Sequence, residues 1–423
     1  MVHRISDVEA WEALDSRGNP TVAVRVSVES GFAGRALAPS GASAGSHEAL
    51  FLRDGGEAYG GKSVRQVTKR GLPLIREAWI GKDLADQAGL EHALRDIDSS
   101  PNWSVLGGNL STAASVAAWL ALSDAQRRAP WELIAEWTGS RPSLPVPMIN
   151  IVSGGAHAAE AVAIQDVLVI PKSAQSFEDA IERVWQIRSG TSTVMRDLGF
   201  ETALVADEGG LAAAFGNSEA AIAAVVSGIS SCGLKPGVDA TVALDIAANE
   251  FRGEGGTYDF EGANLSESDL GHLVHDWINR WPISSVEDPL GEDANWSHLA
   301  PLVSSIQVVG DDRYATSVAR LLRGIEKNEA NCVLIKPNQA GTLWEALRAL
   351  REAKTAGWGT IVSARSGDTE EQWLVDLAVG SAAGQIKVGS TMRSERTSKW
   401  NRLLELSATE KIPYAQENDG GNG

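Results

Sequence analysis

The chain has 423 residues, a formal net charge of −18 and two cysteines. Nucleic acids and anionic membranes attract basic surfaces, so this charge argues against both as partners. Two cysteines in so long a chain predict a reducing compartment without a disulfide framework. No apolar run is long enough to span a bilayer, and the first residues lack the apolar core of a signal peptide. These features predict a cytoplasmic protein.

The length exceeds one ordinary hydrophobic core, so we expect two domains. The first part of the chain has three strand patterns followed by three helix patterns, which predict a small α+β domain. Prolines and a glycine between residues 138 and 147 break the periodicity and mark a boundary, giving domains 1–140 and 141–423. A loop rich in Gly and Ser at residues 39–45 and a polar, disordered tail at 416–423 are also expected. The predicted strands cover residues 8–13, 21–28 and 32–38, and the helices 63–75, 84–94 and 110–129.

The second part repeats one pattern: a short apolar run that ends in polar or ionisable residues, followed by an amphipathic helix. Strands that alternate with helices predict a parallel barrel or an open sheet. In a barrel, polar residues at the carboxyl ends of strands converge on the catalytic face. The runs are found at residues 163–167, 202–206, 241–244, 283–286, 306–310, 332–335, 360–362 and 385–386.

Three carboxylates, Asp245, Glu287 and Asp311, follow three successive runs of this kind. Any one of them could simply complement the dipole of a following helix. Three together would repel one another without a positive partner, and carboxylate oxygens without His or Cys suit a hard cation such as Mg²⁺. We therefore expect a magnesium site.

Two lysines, Lys336 and Lys387, end the runs on the other side of the predicted barrel. A lone lysine at a strand end commonly extends its ammonium into solvent. Beside a dication, however, a lysine is pushed towards its neutral form and can act as a general base. A base next to a metal suits removal of a proton adjacent to a carboxylate.

Motifs along nearly the whole chain resemble those of the enolase family, in the family's order. The resemblance implies an enolase-like α/β fold, in which a small N-terminal α+β domain packs on a modified TIM-type α/β barrel, and commonly a homodimer. Enolase-superfamily sites use a Lys or His base with one or two Mg²⁺ ions. The motifs are DSRGNPT (15–21), APSGAS (38–43), LRDG (52–55), GKDLADQ (81–87), PVPMINI (145–151), GGAHA (154–158), DEGG (207–210), VEDP (286–289), IKPNQAG (335–341), RSGDTE (365–370), AGQIKVG (383–389) and RSER (393–396).

The resemblance also implies roles for single residues. Lys336 is similar to the base that takes the C2 proton of 2-phosphoglycerate, and Glu208 to the acid that assists departure of the C3 hydroxyl. Ser40 in the lid would join a second Mg²⁺ that arrives with substrate. The remaining implied roles are metal ligation by Asp245, Glu287 and Asp311, and substrate binding by His157, Gln165, Asp166, Arg365, Ser366 and Lys387.

Three positions depart from the family pattern. The histidine of the family's SHRSG motif is Ala364, the glutamate of its IQE motif is Asp166, and the threonine of its lid is Ala44. All three changes remove side-chain volume, so we expect a roomier pocket.

Three functions follow. The first is Mg²⁺-dependent carbon–oxygen lyase chemistry on 2-phosphoglycerate and phosphoenolpyruvate. The second is a specialised enzyme of phosphonate or phosphinate antibiotic biosynthesis, similar to carboxyphosphonoenolpyruvate synthase, for which the substrate is phosphonylated. The third is a non-catalytic relative, which the retained acids and lysines argue against.

Overall fold

The computed structural model describes residues 2–42, 45–158 and 161–415. Ala44 of the lid and the tail at residues 416–423, which we expect to be disordered, lie outside these ranges.

The N-terminal domain is an antiparallel sheet in the order β1-β2-β3, covered by helices. Alternating apolar residues of β2, among them Val22, Val24 and Val26, are fully buried. Gly34 lets the sheet approach the third helix closely, since a Cβ there would lie 2.2 Å from the Ala117 carbonyl oxygen. The predicted α+β domain is confirmed. Its elements are β1 (Ile5–Leu14), β2 (Pro20–Val28), β3 (Ala33–Leu37), α1 (Arg65–Trp79), α2 (Gln87–Ile97), α3 (Gly108–Gln126) and α4 (Pro130–Thr138).

Eight further strands form a closed barrel, which confirms the TIM-type fold. Their short apolar runs are buried almost throughout, as expected for strands with packed protein on both faces. The barrel strands are β4 (Val146–Ser153), β5 (Asp166–Ile170), β6 (Thr241–Asp245), β9 (Ile283–Glu287), β10 (Gln307–Gly310), β11 (Cys332–Ile335), β12 (Gly359–Ser363) and β13 (Gln385–Gly389); β7 (Tyr258–Phe260) and β8 (Ala263–Leu265) form a separate hairpin.

Helices connect and surround these strands. Several begin at a side chain that caps the first turn, such as Ser176, Asn217 and Thr342. No helix among the described residues is both long and apolar enough to cross a membrane. The helices are α5 (Phe177–Asp197), α6 (Ser218–Ser231), α7 (Glu267–Arg280), α8 (Ala300–Val303), α9 (Val318–Lys327), α10 (Pro337–Ala340), α11 (Leu343–Thr355), α12 (Trp373–Gly380) and α13 (Ser394–Thr409).

The barrel is not parallel throughout, so that expectation is wrong at one strand. β5 runs antiparallel to both of its neighbours, β4 and β6. Its amino end therefore lies at the face where the other strands have their carboxyl ends, and Asp166 pairs with Asp245 across the sheet. This reversal is what brings Gln165 and Asp166 to the catalytic face.

The prediction of a strand at residues 202–206 is also wrong. The segment is a loop in which Val205 makes only an isolated bridge to Leu211. Leu204 is 77% exposed, so the short apolar run does not enter the core. The loop still brings Glu208 to the barrel mouth.

The N-terminal domain packs against the barrel beside α10 and α11. The Trp103 indole donates to the Ala340 carbonyl at 2.9 Å, and the Ser111 hydroxyl donates to the Gly341 carbonyl at 2.7 Å. Further along this contact, the Thr342 hydroxyl donates to the Glu91 carboxylate at 2.8 Å. These contacts hold the domain so that its Gly/Ser-rich lid extends over the barrel mouth.

Candidate active site

A cavity of about 490 Å³, counting the space open to solvent, lies between the barrel mouth and the lid. It brings together residues from the carboxyl ends of the strands and from the lid, as the sequence predicts. Most lining groups are polar or charged. The lining residues are Gly41, Ala42, Glu48, His157, Gln165, Glu208, Asp245, Ala247, Asp288, Asp311, Asp312, Lys336, Ser363, Ala364, Arg365, Ser366 and Lys387.

Lys387 joins two of the predicted metal ligands. Its ammonium lies 2.7 Å from the Asp245 carboxylate and 2.6 Å from that of Glu287. Burial opposes the charge on the ammonium, but the two carboxylates outweigh it and raise the pKa of Lys387 well above its ordinary value. Burial and the neighbouring charge of Asp245 raise the pKa of Glu287. The Gln165 amide completes the group by donating to Asp245 at 3.0 Å.

Lys336 pairs with the third predicted ligand, Asp311. The lysine follows β11 directly, and its backbone N–H donates to the Thr316 hydroxyl at 3.0 Å. Burial works against the ammonium, yet Asp311 raises the pKa of Lys336 above its ordinary value. With Asp311 as its partner, Lys336 holds a proton, and it becomes a base only when that carboxylate charge is neutralised.

Arg365 and Ser366 lie under the lid. The Arg365 guanidinium contacts the Glu48 carboxylate at 2.7 Å, and both side chains are buried. The Ser366 hydroxyl accepts from the Ala42 backbone N–H at 2.6 Å. Ser40 lies outside the cavity lining, and its hydroxyl donates to Asp15 at 2.6 Å. Its role as a metal ligand stays a prediction.

His157, Asp166 and Glu208 form a buried cluster, in which Asp166 is the strand neighbour of Asp245. His157 Nδ1 lies 3.0 Å from Asp166, and Nε2 lies 3.8 Å from Glu208. Burial lowers the pKa of His157, but the two carboxylates outweigh it and raise the pKa to about 9. Burial raises the pKa of Asp166 to about 6, although His157 opposes this. Asn150 donates to the other oxygen of Asp166.

The donor set fits a hard cation. Glu287 Oε1 and Gln165 Oε1 are buried without a hydrogen-bond partner, which is costly unless a ligand satisfies them. All the candidate ligands on this side are oxygen atoms, the type that Mg²⁺ prefers. Asp288, Asp311 and Asp312 place carboxylate oxygens within 4.8 Å of one another, whereas the predicted trio of Asp245, Glu287 and Asp311 is not such a group. The residues present could therefore hold Mg²⁺ between the strand ends and Asp311.

Sequence reasoning missed several residues that hold the predicted ones in place. Asp288 accepts from the backbone N–H groups of Asp311 and Asp312 at 3.0 and 2.7 Å, which fixes the turn that carries Asp311. Gln339 donates to both Asp311 and Glu48, at 2.8 and 3.2 Å. Asp288 and Gln339 belong to the VEDP and IKPNQAG motifs, so the sequence marked both residues without indicating what they do. Glu48 follows the lid directly, and only its nearness to that loop could have suggested it.

Ala364 lines the main cavity together with Ser363. A second, smaller cavity of about 260 Å³ borders the same two residues and is also lined by Asn338, Trp373 and Lys399. Ser363 and Ala364 therefore form a thin wall between two spaces. A larger side chain at position 364 would have to fill part of one of them.

Two family sequence profiles match the chain. The profile described as "Enolase, N-terminal domain" matches residues 5–134, and the one described as "Enolase, C-terminal TIM barrel domain" matches residues 141–420. The second match alone covers well over half of the chain and contains every site residue in the barrel. The match to enolase domains indicates lyase activity in general. The acidic clusters agree with a metal-assisted reaction. The chain belongs to the enolase family.

Proposed function

We propose that the protein is a Mg²⁺-dependent carbon–oxygen lyase that interconverts 2-phosphoglycerate and phosphoenolpyruvate. One observation carries this proposal: Lys336 stands beside the carboxylates of the candidate metal site, and the His157–Glu208 cluster lines the same cavity. A proton can therefore be taken from one carbon while another proton is delivered to a leaving hydroxyl. Elimination of water requires both.

The charged groups suggest how substrate would be held. Lys387 would bind the substrate carboxylate, and Arg365 with Ser366 would bind the phosphate. Mg²⁺, when bound by Asp245, Glu287 and Asp311, would supply the positive charge that stabilises the ene-diolate. A second ion would enter with substrate, with Ser40 as its predicted ligand. The partner of the site is thus a small phosphorylated carboxylate.

The reaction divides between two groups of residues in the cavity. Lys336 Nζ takes the proton from C2, and the electron pair of that bond moves into the substrate carboxylate to give the ene-diolate. Return of this electron pair forms the C2–C3 double bond as the C3–O bond breaks. Glu208 gives a proton to the departing hydroxyl, which leaves as water. His157, which holds its proton at neutral pH, stabilises the carboxylate that remains on Glu208. Lys336 then returns its proton to solvent, and Glu208 takes up a proton from solvent, which restores both groups.

The direct test is turnover. Purified protein with Mg²⁺ and 2-phosphoglycerate should form phosphoenolpyruvate, followed by its ultraviolet absorbance. Chelation of the metal should stop the reaction, and re-addition of Mg²⁺ should restore it. Absence of product with Mg²⁺ present would exclude this function.

The second candidate is a reaction like that of carboxyphosphonoenolpyruvate synthase. It is favoured by Ala364, which replaces the family's histidine at the wall between the two cavities, and by the shorter carboxylate of Asp166. The lost volume could admit a larger, nucleotide-activated phosphonoformate. Release of CMP from that substrate, without turnover of 2-phosphoglycerate, would establish this candidate. Mg²⁺ binding without either activity would favour a non-catalytic relative.

The homodimer and the cytoplasmic location also remain proposals. The dimer rests on the family resemblance and the location on the composition. Light scattering of the purified protein would decide the first, and fractionation of the cells that make it would decide the second.

A further inference from the structure

Each lysine and arginine of the cavity that we assign to substrate binding or proton transfer already has a carboxylate partner. Lys387 is neutralised by Asp245 and Glu287, and Lys336 by Asp311. The third cation, Arg365, is neutralised by Glu48. An anionic substrate must therefore gain its positive partners by changing these pairs.

The Arg365–Glu48 pair differs from the two lysine pairs. The carboxylates that hold the lysines are the predicted cation ligands, so a bound cation would compensate their charge. Glu48 has no such role. It carries a negative charge at the guanidinium predicted to bind the substrate phosphate, and like charges at one site oppose each other.

The contacts of Glu48 show that its carboxylate binds the Arg365 guanidinium firmly. Its two oxygens lie 2.7 and 3.3 Å from two guanidinium nitrogens of Arg365, in a bidentate arrangement. The Arg365 side chain is only 4% exposed and that of Glu48 6%, so water screens the pair little. Burial alone lowers the pKa of Arg365, but Glu48 outweighs it and raises that pKa.

Glu48 is also tied to the lid and to the metal side of the cavity. Its carboxylate accepts from the Gly45 N–H and from the Gln339 amide, both at 3.2 Å. The backbone N–H of the next residue, Ala49, donates to the Gln339 carbonyl at 2.8 Å. The backbone behind Glu48 is thus anchored, so displacement of the carboxylate from Arg365 would require only rotation of the Glu48 side chain.

We propose that Glu48 competes with the phosphate group of the ligand for the Arg365 guanidinium and thereby limits the affinity of the cavity for phosphorylated ligands. Binding of phosphate displaces the Glu48 carboxylate from Arg365, and departure of phosphate lets it return. The inference rests on the proposed function only in taking Arg365 as the phosphate contact. It does not depend on which phosphorylated or phosphonylated substrate is turned over.

The test compares binding of inorganic phosphate to wild type and to Glu48→Gln by isothermal titration calorimetry at a fixed Mg²⁺ concentration. Glutamine keeps the size of the side chain and removes the competing charge, so we expect phosphate to bind about 10-fold more tightly. A structural role alone would weaken binding or leave it unchanged, and either result would overturn the proposal. Turnover of 2-phosphoglycerate by wild type is measured separately, so failure of the proposed function is recognised independently.

Two controls locate the effect. Asp376→Asn removes a buried carboxylate that pairs with the half-buried Arg402 at 3.2 Å, and it should leave phosphate affinity unchanged. Glu48→Gln combined with Arg365→Met should lose the gain. If the double variant still binds phosphate more tightly than Arg365→Met alone, the gain does not pass through Arg365 and the proposal is wrong.

A measurement on wild type keeps the proposal testable should Glu48→Gln fail to fold. In a crystal structure with inorganic phosphate bound at Arg365, the Glu48 carboxylate should have left hydrogen-bond distance of the guanidinium. A carboxylate that still contacts both guanidinium nitrogens beside the bound phosphate would contradict the competition.

Discussion

Lys336 is the residue on which the proposed chemistry most depends. Replacing it with Ala removes the only group assigned to take the C2 proton, so we expect kcat to fall by about 10²–10⁴-fold or more. Steady-state kinetics with 2-phosphoglycerate measures this. Lys327→Ala is the control, because its side chain is 66% exposed and lies outside the lining of the main cavity. Turnover that survives in Lys336→Ala would mean that another group is the base.

Substitutions at Ala364 distinguish the two enzymatic functions. If the missing imidazole limits departure of the hydroxyl, Ala364→His should raise 2-phosphoglycerate turnover by about 10-fold or more. Ala364→Leu fills similar space without a group that transfers protons, and should bring no gain. Equal rates for wild type and Ala364→His would break the link between this position and hydratase activity.

The sequence predicted the residues that act through their position at a strand end. Lys336 and the three carboxylates stand at such an end or directly after it, where local apolar patterning is enough to locate them. Lys387 was expected at an end too, but it lies in the middle of β13. Glu48 and Gln339 could not be assigned roles in this way. Their functions arise from contacts between segments far apart in the chain, and no local pattern encodes which carboxylate meets which guanidinium.

At the scale of elements, the lid continues into Ser46 and His47, which contact the loop after β9. The Ser46 hydroxyl and backbone N–H contact the Glu292 carboxylate at 2.7 and 3.1 Å. Glu292→Ala removes both contacts, which are exposed and together worth about 0.5–1.5 kcal/mol, so we expect KM to rise by about 3–10-fold with little change in kcat. Initial-rate kinetics over a range of substrate concentrations separates the two constants.

The matched variant for the lid is Asp293→Ala. Its contact with the lid is one exposed pair with His47 at 3.3 Å, so its effect on KM should be smaller. A KM that stays the same in Glu292→Ala would show that these hydrogen bonds do not govern closure.

The direction of β5 is a feature that the local sequence pattern does not predict. The predicted run at residues 163–167 overlaps β5 only at its first two residues, Asp166 and Val167, and a strand has the same alternation whichever way it runs. Direction follows from the connections and from packing across the whole barrel. The exposed Leu204 makes the same point for residues 202–206, because four or five apolar residues do not by themselves reach a core.

At the scale of the whole molecule, the interface between the two domains contains a titrating carboxylate. Burial raises the pKa of Glu91 to about 7, while Thr342 of the barrel donates to it. The unfolded chain releases this proton near its ordinary pKa of about 4.5, whereas the folded protein retains it up to about 7. Folding stability from this group is therefore complete at low pH and is lost as pH rises to about 7.

Glu91→Gln should remove this loss, because an amide keeps the acceptor for Thr342 and carries no charge. We expect wild type and variant to have similar stability near pH 5. Near pH 8 the variant should be more stable by about 1–3 kcal/mol. Urea unfolding at the two pH values measures the difference, and Glu326→Gln on an exposed surface should show none. An equal difference at both pH values would contradict the assigned pKa.

The closure of the barrel has a consequence for its synthesis. β13 pairs with β4, and the backbone of Leu144 bonds to Pro413 and Ala415. The first strand of the barrel therefore gains these partners only after nearly all of the described residues have been synthesised. Until β13 leaves the ribosome, β4 presents an unpaired edge, which is the kind of surface that attracts other chains. The N-terminal domain, whose strands pair with near neighbours, can fold much earlier. During synthesis there is therefore a long interval in which the first domain is folded while the sheet of the barrel is still open. At this stage chaperones would matter most to the yield of active protein.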